Sequence, residues 1–136
     1  HYPLRRQRQM CIRDSYNNGQ LKNSVKYIDG KKNGPEVWYY ENGKKSKTVN
    51  FIDGIVNAYW EEWYENGQKK VIKNYIDYID VSEKKSLLHG KWIEYYENGQ
   101  IRKEANYEVG RRHGKWIEYS EDGQIITDIN YNFGLY

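Results

Sequence analysis

At 136 residues the chain is one domain by length, and Leu, Ile, Val and Phe supply only about a fifth of it, so fifteen Tyr and five Trp must carry the core. The net charge of +3 is confined to residues 1–14, where Arg5, Arg6, Arg8 and Arg13 face Asp14; the neutral, evenly mixed remainder has no field for phosphate backbones, which argues against a nucleic-acid partner. A single cysteine, Cys11, leaves no internal disulfide or thiolate metal cluster, and no apolar run approaches the ~20 residues of a membrane-spanning helix.

Taken in chain order, residues 1–14 match nothing that follows and do not begin with Met. They are expected to be a non-native or disordered basic segment, with the native N-terminus and any leader lying beyond the sequence given. Localisation therefore stays open between the cytoplasm and the cell envelope. From residue 15 onward one phrase recurs, Tyr-Glu-Asn-Gly-Gln with small variations, at 16–20, 40–44, 64–68, 96–100 and 120–124. Its glycines are Gly19, Gly43, Gly67, Gly99 and Gly123, so the period is 24 residues with one step of 32. A fixed period of this size is the signature of a repeat architecture. Residues 15–136 are read as one five-repeat β domain.

Each copy reads as a hairpin. Asn-Gly between two β-rich runs is the strongest short hairpin signal and predicts a type I′ turn, in which both central residues take positive φ. In the fourth copy the expected strands are 91–97 and 100–107, followed by a connecting turn over Glu108–Gly114. Eight residues past each hairpin glycine stands Tyr27, Phe51, Tyr75, Tyr107 or Tyr131. The residue before it is Lys26, Asn50, Asn74, Asn106 or Asn130, and this alternation at period two predicts a half-buried strand. On the first strands, Tyr39, Trp63, Tyr95 and Tyr119 form one column and Trp60, Trp92 and Trp116 another, of opposite parity. Aromatic rings should therefore project from both faces. The third copy carries eight extra residues, expected as a charged insertion loop around 79–88. Serial hairpins of this kind predict an all-β fold, an elongated antiparallel sheet of about ten strands and roughly 48 Å.

The unit from Gly90 to Gly114 resembles the MORN repeat, specifically its 24-residue bacterial variant. The family pattern is matched at Trp92, Tyr96, Asn98, Gly99, Tyr107, Gly110 and Gly114, and again at Trp116, Gly123, Tyr131 and Gly134; Ser120 and Asp122 depart from it. The resemblance spans roughly residues 16–136. It implies a half-pipe ribbon used as a scaffold or binding surface. Bacterial proteins with this variant are similar to the YwqK-type antitoxin family, which implies a toxin-neutralising or immunity role.

Signatures of catalysis are missing from the sequence. No nucleophile elbow, phosphate loop or HExxH motif occurs. His89 and His113, with Asn33 and Asn57 in the equivalent place, are expected to serve turns, because Asn and His tolerate left-handed backbone. Glu61-Glu62 and the pair Glu94 and Glu97 are expected on a solvated face. The expected function is a non-catalytic protein-interaction scaffold without cofactor or metal, its partner a protein such as a toxin. The candidate contact residues are Trp60, Trp63, Trp92, Trp116, Tyr39, Tyr95 and Tyr119, together with the 79–88 loop. The second reading is an envelope-associated lipid- or carbohydrate-binding module presenting the rings as a platform. The oligomeric state is left open.

Overall fold

The computed structural model describes residues 8–79 and 84–132. Every regular element among them is a strand: β1 (Gln9–Ser15), β2 (Leu21–Ile28), β3 (Lys31–Lys32), β4 (Gly34–Tyr39), β5 (Lys45–Ile52), β6 (Ile55–Trp63) and β7 (Lys69–Ile79) come first. They are followed by β8 (Lys84–Leu88), β9 (Gly90–Tyr95), β10 (Ile101–Glu108), β11 (Arg111–Arg112), β12 (Gly114–Tyr119) and β13 (Ile125–Tyr131). All belong to one open antiparallel sheet, with ten strands in the order β1-β2-β4-β5-β6-β7-β9-β10-β12-β13 and β3, β8 and β11 extending its connecting edge. The exposed area of 9616 Å² exceeds the roughly 7,500 Å² of a compact monomer of this size, as a single-layer ribbon requires.

The two edges of the ribbon turn the chain differently, and the type I′ turn expected at the Asn-Gly edge is found at the other. At the Asn-Gly edge only the glycine has positive φ, for example 84° at Gly19 and 88° at Gly99. The Gly19 amide donates to the Tyr16 carbonyl at 3.0 Å, and the Tyr16 amide to Gln20 at 2.8 Å. That is a type I turn closed by a left-handed glycine, a three-residue loop rather than the expected type I′ turn. The asparagine is kept out of the left-handed region by its own side chain, since Asn18 Oδ1 accepts from the Gln20 amide at 3.0 Å. Type I′ geometry is found instead at the opposite, connecting edge. There Asp29–Gly30, Asp53–Gly54 and Val109–Gly110 all have positive φ, and Ile28 faces Lys31, Ile52 faces Ile55 and Glu108 faces Arg111.

Beyond each connecting turn a bulge re-aims the chain. The left-handed residue of that bulge is Gly34, Ala58, Gly90 or Gly114, not the Asn33, Asn57, His89 or His113 before it. Those four serve the turn by hydrogen bonding. The amides of Asn33, His89 and His113 donate to Lys26, Asn74 and Asn106 at 2.9 Å. Asn33 Oδ1 and His89 Nδ1 accept the Asp53 and Val109 amides of the following repeat, at 3.1 and 3.3 Å. Asn57 Nδ2 reaches Asp77 Oδ1 at 3.0 Å.

Two segments set apart by the sequence are strands. Gln9–Asp14 lies in β1 and pairs with β2 from Gln9 opposite Ile28 to Ser15 opposite Leu21. In the insertion, Lys84–Leu88 is β8 rather than loop, paired with β7 from Ile79 opposite Lys84 to Tyr75 opposite Leu88. The β-rich run Tyr75-Ile76-Asp77-Tyr78-Ile79 lengthens the connecting hairpin outward instead of breaking it. The calls on residues 1–7, 80–83 and 133–136 lie outside the described residues.

Repeats are stitched along the Asn-Gly edge by two side chains each. The hydroxyls of Tyr16, Tyr40, Tyr64 and Tyr96 donate to the carbonyls of Tyr39, Trp63, Tyr95 and Tyr119, at 2.6 to 2.7 Å. The amides of Asn18, Asn42, Asn66 and Asn98 donate to the carbonyls of Glu41, Glu65, Glu97 and Glu121, at 3.1, 3.2, 3.1 and 3.3 Å. Full burial is scarce: among the described residues Val25, Val49, Ala105 and Tyr131 are the buried apolar ones. Stability therefore rests on half-buried rings and on contacts between neighbouring units.

Candidate functional site

Period-two alternation and cross-strand register sort the candidate residues onto two faces. Trp60, Trp92 and Trp116 share the front face, opposite Lys73, Ala105 and Ile129. Tyr39, Trp63, Tyr95 and Tyr119 share the back face, opposite Lys45, Lys69, Ile101 and Ile125. The seven residues therefore do not form one surface. The side chains of residues 78–84 within the insertion lie outside the described ones.

On the front face the tryptophans are interleaved with cations. Lys47 Nζ lies 5.4 Å from the Trp38 ring centroid and 5.1 Å from that of Trp60. Lys73 is 4.8 Å from Trp60 and 4.5 Å from Trp92, and Lys103 is 4.7 Å from Trp92 and 4.9 Å from Trp116. The Arg112 guanidinium closes the row, 4.6 Å from Trp116 and 5.4 Å from Tyr131. Three indole N–H groups are satisfied within their own strands: Trp60 donates to Glu62, Trp92 to Glu94 and Trp116 to Glu118, at 2.8, 3.0 and 3.0 Å. Tyr107 packs against Trp92 at 5.7 Å and against Trp116 at 6.2 Å, and Trp116 against Tyr131 at 5.9 Å. Trp60, Trp92 and Trp116 are each flanked by two cations within cation–π range. Those cations, with Tyr107 at Trp92 and Trp116, link the front-face tryptophans of neighbouring units to one another.

The cations were not singled out by the sequence, and the reason is positional. Lys47 and Lys103 come four residues after their hairpin glycine and Lys73 six after, so no single column announces them. Cross-strand register is the signal that finds them, since Lys47 stands opposite both Trp38 and Glu62. The acidic pairs also separate. Glu61 and Glu62 fall on opposite faces, Glu94 bridges Trp92 and Lys103 at 3.0 and 3.2 Å, and Glu97 is an exposed turn residue. Burial raises the phenols of Tyr75 and Tyr107 above their ordinary value, Arg112 opposing it at Tyr107. Burial, followed by Glu65 or Glu97, does the same to Tyr40 and Tyr64 at the Asn-Gly edge. No cluster of metal-ligating side chains occurs among the described residues.

The back face is differently made. Tyr39, Trp63, Tyr95 and Tyr119 run across β4, β6, β9 and β12, half-buried, one ring per repeat. Adjacent strands lie ~4.8 Å apart, so rings two strands apart are separated by roughly 10 Å. The hydroxyls of Tyr39, Tyr95 and Tyr119 have no hydrogen-bond partner among the described residues. Toward the C-terminal end Ile101 and Ile125 replace Lys45 and Lys69 opposite the rings, and Ile93 and Ile117 flank them with Glu104 and Asp128 standing opposite those two isoleucines. Ile125 and Ile126 are 60% and 65% exposed.

Residues 32–53, 57–77, 88–108 and 112–132, more than half of the chain, match the family model of the MORN repeat variant. No curated protein and no solved structure matches the chain.

Proposed function

The chain belongs to the MORN repeat variant family, and from that premise we propose that it is a non-catalytic scaffold that binds a protein partner across its back face. The observation that carries this reading is the band of Tyr39, Trp63, Tyr95 and Tyr119. Its rings are half-buried, its hydroxyls have no hydrogen-bond partner among the described residues, and its C-terminal half adjoins the exposed Ile125 and Ile126. Tyr and Trp supply large contact area at small cost in conformational freedom and dominate the energetics of protein interfaces. A flat band repeated once per unit suits an extended partner surface better than a small ligand. A toxin held by its antitoxin or immunity protein is the partner we infer. Occluding another protein needs an area and no chemistry, and Glu94, His89 and the pair His113 and Glu108 are engaged in turns and strand pairs.

Native affinity purification of the tagged chain from its source cells should recover one protein in stable complex. The double variant Tyr95→Ala, Tyr119→Ala should then weaken that complex by about tenfold or more while leaving the fold intact by circular dichroism. Recovery of no protein, or unchanged affinity in the double variant, overturns the reading.

A further inference from the structure

We propose that the Asn-Gly edge from Tyr16 to Glu97 is a docking trough for the basic side chains of an extended peptide segment on a protein partner, with Tyr40 and Glu65 at its centre. Two grooves of about 410 and 380 Å³ follow one another along this edge. The first is lined by Tyr16, Tyr40, Glu41, Asn42 and Glu65. The second is lined by the same set one repeat on, Tyr40, Tyr64, Glu65, Asn66 and Glu97, so Tyr40 and Glu65 belong to both. The tyrosine hydroxyls and the asparagine amides are taken up by the stitches between repeats. The carboxylates are not: Glu41, Glu65 and Glu97 are exposed and make no side-chain hydrogen bond or ion pair among the described residues.

The other hairpins show what such a ring takes. Three residues past their glycines stand Lys22, Lys70 and Arg102, and each lies over the tyrosine of its own hairpin. Lys22 Nζ is 5.7 Å from the Tyr16 centroid, Lys70 Nζ 5.5 Å from that of Tyr64, and the Arg102 guanidinium 5.7 Å from that of Tyr96. The second hairpin has Ser46 in this position, and among the described residues no Lys or Arg stands over the Tyr40 ring. Lys44, two residues before Ser46, lies against Gly67 at the third tip instead. Burial, then Glu65 and Glu62, raise the Tyr40 phenol above its ordinary value. At Tyr64, where burial and Glu97 act in the same way, Arg102 opposes them. A cation brought by a partner therefore meets at Tyr40 an aromatic face and unpaired carboxylates, the surroundings that favour Lys and Arg.

Spacing specifies the segment. Successive hairpins lie two strands apart, so Tyr16, Tyr40 and Tyr64 recur at roughly 10 Å. A polyproline II segment advances about 9.3 Å in three residues and brings every third side chain back to the same side. The matching sequence carries Lys or Arg at every third position. The grooves share no lining residue with the band of Tyr39, Trp63, Tyr95 and Tyr119. Only the class of the occupant, a protein, rests on the reading of the chain as a protein-binding scaffold.

Fluorescence anisotropy of the full chain with labelled synthetic peptides tests this. A peptide of four Lys-Pro-Pro units should bind at low salt, and its Glu-Pro-Pro counterpart should not. Ser46→Lys supplies from within the cation that the first and third hairpins already carry, and should weaken binding by about threefold or more. Glu65→Gln, which keeps the backbone carbonyl used by Asn42, should do the same. The double variant Tyr95→Ala, Tyr119→Ala should leave peptide affinity unchanged, which separates this trough from the back-face reading. Failure of the lysine peptide to bind, equal binding of the glutamate peptide, undiminished affinity in Ser46→Lys or Glu65→Gln, or a loss in the back-face double variant would each overturn the trough.

Discussion

The second and fourth repeats use the same two residues on the front face in opposite order. The fourth has Trp92 and then Glu94; the second has Glu36 and then Trp38. In the fourth, the carboxylate stays at the surface and accepts from Trp92 at 3.0 Å and Lys103 at 3.2 Å. In the second, the carboxylate falls in the column where the others place a tryptophan and is only 6% exposed. It is matched there by Lys32 at 3.1 Å and Asn23 at 3.3 Å, while Trp38 Nε1 is buried with no partner among the described residues. Exchanging two side chains within one strand thus turns a solvated ion pair into a buried one and orphans an indole N–H. The order within the strand, not the composition, decides which polar group loses water.

Five variants would break or sharpen this contrast. The largest effect is expected for Trp92→Ala, about 3 kcal/mol in urea unfolding, because the ring sits between Lys73 and Lys103 and against Tyr107. Trp38→Ala should cost less, about 2 kcal/mol, since that indole lacks a hydrogen bond; equal losses would mean the order of the pair is irrelevant. Glu36→Ala comes next at about 2 kcal/mol, leaving Asn23 and Lys32 without their carboxylate, whereas Glu94→Ala should cost about 0.5 kcal/mol at its more exposed site. Restoring the common order with Glu36→Trp and Trp38→Glu should raise stability by about 1 kcal/mol, and a loss would show that the buried pair is favoured where it stands.

The smallest effect is expected from pH. Burial raises the folded-state phenols of Tyr75 and Tyr107 above 10.0, so the folded chain holds those protons more tightly than the unfolded one. Their contribution is complete below that value and is lost as pH rises past it. The melting temperature should therefore fall in alkaline buffer, and Tyr107→Phe should reduce the slope, since Phe51 already fills that column in the second repeat without titrating. An unaltered slope in Tyr107→Phe would remove that residue from the contrast.

Much of the ribbon was legible in its repeating columns. Asn-Gly marked each tip, and Tyr27, Phe51, Tyr75, Tyr107 and Tyr131 beside Lys26, Asn50, Asn74, Asn106 and Asn130 marked strands with two faces. The turn type was not legible, because Asn-Gly suits two geometries and the acceptor that holds Asn18 is Glu41, a whole repeat away. Asp29-Gly30 is an equally good type I′ sequence, and the short strand behind it, Lys31–Lys32, gave no pattern to read. The two columns of candidate rings were visible, but not that one is sandwiched by lysines, since that depends on register between strands, with Lys47 thirteen residues from Trp60 and Lys73 nineteen from Trp92. Ser120 and Asp122 were legible only as departures from the family pattern, whereas the bonds their counterparts make to the next repeat are a matter of three-dimensional structure.

The stitches along the Asn-Gly edge have a consequence for how such a chain can change length. Between the third and fourth hairpins the sequence step is 32 rather than 24, yet Tyr64 still reaches Tyr95 at 2.7 Å and Asn66 still reaches Glu97 at 3.1 Å. The whole surplus is absorbed on the opposite margin, in the longer hairpin of β7 and β8. One border of the ribbon keeps count while the other tolerates growth. Whole units can be gained or lost in the interior without altering a single type of bond, and new sequence can be added at the connecting border without disturbing the spacing of the rings.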